Sequence, residues 1–77
     1  MTYEEWLVGL GQYRTEHPTQ RAGQAAFNFL AQEKPYLAGL VEGTVIDPFN
    51  FQSDDRRDKV LLKEFFNFVK VNWEDHD

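Results

Sequence analysis

No cysteine occurs in these 77 residues, and that absence excludes disulfides, thiolate zinc ligands and a thiol nucleophile together. Serine occurs once, as Ser53. Histidine occurs twice, as His17 before a proline and His76 in an acidic tail. Neither histidine therefore has the sequence context of a catalytic dyad or nucleophile elbow. No stretch approaches the roughly 18 consecutive apolar residues that span a bilayer. Glu4 and Glu5 stand where a secretory leader would carry positive charge. These absences suit a reducing cytoplasmic setting with no membrane partner. Positive charge is also scarce: eight Lys and Arg face thirteen Asp and Glu, for a net charge of −5. Phosphate backbones are gripped by clustered cations, so direct nucleic-acid binding is not expected.

Aromatic rings are abundant. Seven Phe, three Tyr and two Trp make up 16% of the chain, and each ring buries about 150–250 Å² when covered. A domain this small hides only roughly 60% of its unfolded surface, so the rings supply the core that staples would otherwise secure. The length allows one domain, residues 1–77.

The pattern along the chain is helical, which predicts an all-α fold: a small bundle of three main helices plus one short helix. Thr2 with Glu5 forms a capping box, and Tyr3, Trp6, Leu7, Leu10 and Tyr13 recur on one face of a helix over about 2–17. His17-Pro18 ends it. Thr19 is the expected cap of a helix over about 20–33, with Ala22, Ala25, Ala26, Phe29 and Leu30 inward. Pro35 opens a short helix over about 35–42, with Tyr36, Leu37 and Leu40 inward and Gly43 as terminator. Residues 44–53 read as an ordered irregular loop whose Phe side chains plug the core, since Pro48 bars a central strand and Asp47-Pro48 favours a turn. A last helix over about 54–73 starts among Asp54, Asp55 and Asp58, with Asp55 and Lys59 placed as an ion pair. Its wide apolar arc (Leu61, Leu62, Phe65, Phe66, Phe68, Val69, Trp73) suggests the central position in the bundle.

Chemistry is harder to find. Asp54 and Asp58 lie a turn apart and Glu74, Asp75, His76 and Asp77 crowd the tail, but a calcium loop needs acids at alternating positions, and Phe49 and Phe51 fill those after Asp47. The glycines are scattered rather than arranged to cradle phosphate. No catalytic, cofactor or metal residue is therefore assigned. Two features remain. Arg21, Gln24 and Asn28 form a polar row on the second helix, readable as a recognition strip or as side chains tying down the Asp47-Pro48 loop, the latter weighing more. Phe27, Phe49 and Phe51 are the rings most open to partial exposure, the usual makeup of a binding hot spot. The candidate partner-binding residues are Arg21, Gln24, Phe27, Asn28, Asp47 and Phe49.

Three strings in order, Arg21-x-Gly23-Gln24-x-x-Phe27-Asn28-x-Leu30, then Gly43-Thr44-x-x-Asp47-Pro48-Phe49, then a terminal helix ending in Trp73, resemble a family of small uncharacterised proteins of bacteriophage and prophage genomes. The resemblance implies a setting inside a bacterial cell and supplies no activity. Taken together, the expectation is a non-enzymatic, cofactor-free protein-interaction module that binds a host or phage protein. The alternatives are an acidic nucleic-acid mimic, with Asp54, Asp55, Asp58, Glu64, Glu74 and Asp75 as its charges, and a homo-oligomeric structural protein.

Overall fold

Two of the four helices, the first and the last, begin where a side-chain cap satisfies a free N–H group. The computed structural model describes residues 1–52 and 55–74; among them it is all-helical, without strands. Helix α1 spans Tyr3–Glu16. The Thr2 hydroxyl accepts from the Glu5 N–H at 3.1 Å, and Glu5 Oε1 accepts from the Thr2 N–H at 2.7 Å, so the capping box forms. Helix α2 spans Ala22–Glu33, α3 Pro35–Val41 and α4 Arg56–Asn72.

Thr19 does not cap α2. The Gln20 N–H donates to the His17 carbonyl at 3.1 Å, which folds 17–20 into a turn and leaves extended Arg21 as the N-cap. Arginine has no side-chain acceptor; only the reach-back half of a box survives, with Gln24 Oε1 accepting from the Arg21 N–H at 3.4 Å. At α4 the expected start at Asp54, and Ser53 before it, lie outside the described residues. Asp55 caps that helix by accepting from the Asp58 N–H at 3.1 Å, so its carboxylate serves the helix start instead of Lys59. Gly43 ends the α3 region with φ +77°, the left-handed geometry that favours glycine.

The core is a ladder of rings. His17 stacks on Tyr13 at 4.0 Å, Tyr13 on Phe29 at 5.3 Å, and Phe29 on Trp6 at 6.1 Å. Trp6 then meets Phe66 and Trp73, each at 5.8 Å. Helix α2 holds the middle, its backbone close to both α1 and α3, because buried Ala25 and Ala26 leave little between the helices. The expectation of a central α4 is therefore corrected. Its bulky Phe65, Phe66 and Trp73 reach the core from farther out. Three long-range bonds fasten it: the Tyr3 hydroxyl donates to the Phe66 carbonyl at 3.4 Å, Trp73 Nε1 donates to the Met1 carbonyl at 2.9 Å, and Lys34 Nζ donates to the Trp73 carbonyl at 3.1 Å while lying 4.9 Å above the indole.

Three faces differ from the sequence pattern. Leu7 is 39% exposed, at the rim of the α1 core face formed by Trp6, Leu10 and Tyr13. In α3 the inward set is Leu37, Ala38 and Val41, so Tyr36 and Leu40 are exposed; small Ala38 lets this short helix close on α2, which turns its neighbours outward. In the loop, Phe49 and Phe51 are only partly buried and fully buried Pro48 is the plug.

Candidate interaction surface

The residues singled out in the sequence meet along one seam, where α2 faces the loop between Gly43 and Gln52. The loop is a run of turns. The Thr44 N–H and hydroxyl both donate to the Val41 carbonyl, at 3.0 and 2.6 Å, and the Asp47 N–H donates to the Thr44 carbonyl at 3.1 Å. The Asp47 carboxylate fastens both ends of this stretch, one oxygen accepting from the Gly43 N–H at 2.8 Å and the other from the Phe49 N–H at 3.1 Å. This is the Asx turn that Asp-Pro favours. Pro48 then lies directly on Gly23: a Cβ added there would collide with the Pro48 carbonyl oxygen and press on its ring.

Each polar side chain of the row has an internal partner. The exposed Arg21 guanidinium donates to the Phe49 carbonyl at 3.4 Å, a long bond. Gln24 reaches back to the Arg21 N–H. Asn28 Nδ2 donates to Gln20 Oε1 at 3.2 Å. Arg21 and Asp47 thus secure the loop, while Gln24 and Asn28 secure the α2 entry. Of the row, Arg21 alone reaches the loop. Phe27 and Phe49 stand beside it, edge to face with ring centres 6.0 Å apart, and both remain partly exposed.

Sequence reasoning overlooked two components of this surface. Gly23 is the contact that seats the loop, and Gln20 is the partner of Asn28. Only a helical glycine within a Gly-Gln motif hinted at the first; the second depends on the turn at 17–20. Behind Gly23 a small, mostly apolar crevice of about 100 Å³ is lined by Ala22, Gly23, Phe51 and Leu62, with Asp58 and Lys59 at its polar side. Sites for drug-sized ligands run to about 300–1,000 Å³, so this one admits only a fragment. Asp58 is already engaged, accepting from the Gln52 N–H at 2.8 Å.

Among the described residues, no polar or charged side chain is fully buried, and no three His, Asp or Glu side chains converge as metal ligands. The acidic tail considered for metal binding, Asp75, His76 and Asp77, lies outside the described residues. None of the helices among the described residues is long and apolar enough to cross a membrane. Comparisons with protein-family models, curated proteins and solved structures find no match.

Proposed function

We propose that this domain is a non-enzymatic protein-interaction module whose contact surface is the α2–loop seam. The supporting observation is the Phe27–Phe49 ring pair, partly exposed on a backbone that Pro48 and Asp47 hold rigid. Rigid rings beside adaptable polar groups bind at low entropic cost, because little is left to order on association. Arg21, Gln24 and Asn28 edge the rings and supply hydrogen bonds to a partner after breaking long or exchangeable internal ones. Following the resemblance, the partner is a host or phage protein inside a bacterial cell. Contact through rings predicts tolerance of salt, whereas an acidic mimic would lose its target as charge is screened. The cations Arg56, Arg57, Lys59 and Lys63, interleaved along α4, weaken any mimic field.

The test is capture from bacterial lysate with tagged wild type and a Phe27→Ala variant of confirmed helicity, washed at low and then high salt. A protein retained by wild type at high salt and lost by the variant supports the reading. Identical retention by both, or release of every bound protein by salt, overturns it.

A further inference from the structure

We propose that the outward face of α1 pairs antiparallel with the same face of a second copy of this chain. The face is spaced for it. Glu4, Val8, Gly11 and Thr15 recur at intervals of four, three and four, the spacing of a helix-pairing seam. All four are exposed, and they lie opposite Trp6, Leu10 and Tyr13. Val8 is 78% exposed and Leu7 beside it 39%.

The two glycines of α1 differ in a way that bears on this seam. A Cβ at Gly9 would press on the Phe29 ring at 3.0 Å, so that glycine already has a neighbour within its own fold. At Gly11 nothing lies within 4 Å. A glycine at an exposed helical position weakens the helix relative to alanine, and within one copy nothing offsets that. Against a second helix, the missing side chain makes a hole for a knob.

Charge decides both the occupant and its direction. The seam carries Glu4 at its N-terminal end, and Arg14 stands on its flank near the C-terminal end. In an antiparallel pair centred between Gly9 and Leu10, Val8 of each copy sits over Gly11 of the other. Glu4 of each then comes level with Thr15 and beside Arg14 of the other. The remaining acids of the helix stand on the flank and are held: Glu5 accepts from the Thr2 N–H, and Glu16 accepts from Gln12 Nε2 at 3.4 Å. A parallel pair would instead set Glu4 against Glu4 and Arg14 against Arg14, with the helix dipoles aligned unfavourably. The same patch on both copies gives a closed twofold dimer. A helix pair about 20 Å long covers less than the roughly 1,200 Å² of a stable interface, so the pairing is a weak, concentration-dependent one.

The cysteine-free chain permits a clean test. Glu4→Cys and Thr15→Cys variants are oxidised separately and as a mixture, with far-UV circular dichroism confirming the fold of each. Antiparallel pairing places positions 4 and 15 side by side, but separates the two copies of position 4 by about 16 Å along the axis. A disulfide dimer in the mixture and little in either variant alone is expected. Equal cross-linking in all three samples, or cross-linking strongest in the separate variants, overturns the proposal. Sedimentation gives a second reading on the cysteine-free chain. Wild type is expected to dimerise with rising concentration, Arg14→Glu to lose the dimer, and Glu4→Arg with Arg14→Glu to regain it. Wild type that stays monomeric to millimolar concentration overturns the proposal.

Discussion

The Pro48 carbonyl lies so close above the Gly23 Cα that position 23 has no room for a side chain. One contact therefore seats the whole 43–52 loop against α2, and with it the position of Phe49. The obstacle is backbone, which yields less easily than the tip of a side chain. Gly23→Ala is expected to cost about 1–3 kcal/mol, the usual price of overpacking, even though alanine is the better helix former. Gly11→Ala makes the matching control, because open space surrounds that position; it is expected to raise stability by about 0.5–1 kcal/mol. Urea unfolding of both at low protein concentration gives the comparison. Shifts of opposite sign from wild type support the contact, and a stabilised Gly23→Ala would remove it.

Asp47 offers an independent handle on the same loop. Its two carboxylate oxygens each hold one N–H, those of Gly43 and Phe49. Asp47→Ala frees both donors and is expected to destabilise by about 1–2 kcal/mol, in the range of a lost cap. Asp47→Asn keeps one acceptor oxygen and should fall between alanine and wild type. Thermal unfolding of the three proteins orders them. An Asn variant as unstable as Ala would mean that charge, not bond count, secures the turn.

These two residues also show where the sequence was legible and where it was not. The Asp47-Pro48 turn, the Gly43 terminator and the Thr2–Glu5 box are local, each fixed by groups within about four residues, and all were readable. Which α3 residues face inward was not, because periodicity over seven residues leaves the rotation of a short helix undetermined and Ala38 looks neutral on any pattern. Thr19 misled because its competitor, the turn from His17 to Gln20, uses backbone groups that carry no sequence mark. The row Arg21, Gln24, Asn28 was visible as a surface, but its internal partners depend on the long-range meeting of α2 with the loop. Gly23 against Pro48 joins positions 25 residues apart. Such a contact becomes evident only once the loop is placed.

The two tryptophans separate packing from hydrogen bonding. Trp6 is fully buried and its Nε1 has no hydrogen-bond partner among the described residues, whereas buried Trp73 donates to the Met1 carbonyl and lies beneath the Lys34 ammonium. A buried unsatisfied donor costs about 1–3 kcal/mol, so Trp6→Phe relieves one penalty while opening a small cavity. Its net cost is expected to be below about 1 kcal/mol. Trp73→Phe opens a similar cavity and also loses the hydrogen bond and the favoured indole face, for about 2 kcal/mol or more. Chemical unfolding of the two variants decides the order. Trp6→Phe as the more damaging of the pair would show that ring fit outweighs both polar effects.

Acid should loosen the first turn of α1 in a way that one substitution cancels. The Glu5 carboxyl is held below the ordinary carboxylate range, chiefly by the Thr2 backbone N–H it accepts and next by the Thr2 side chain. A carboxyl depressed in the folded state contributes stability above its unfolded-state value and loses that contribution as pH falls through the folded one. Wild type therefore gains from Glu5 at neutral pH and not in strong acid. Glu5→Gln keeps a residue that suits the capping box but does not titrate. The stability gap between wild type and Glu5→Gln is expected to be largest near neutrality and to close as pH drops through and below the carboxylate range. Urea unfolding of the two proteins across that range measures it. A gap that stays constant with pH would mean that the Thr2–Glu5 pair contributes geometry alone, without its charge.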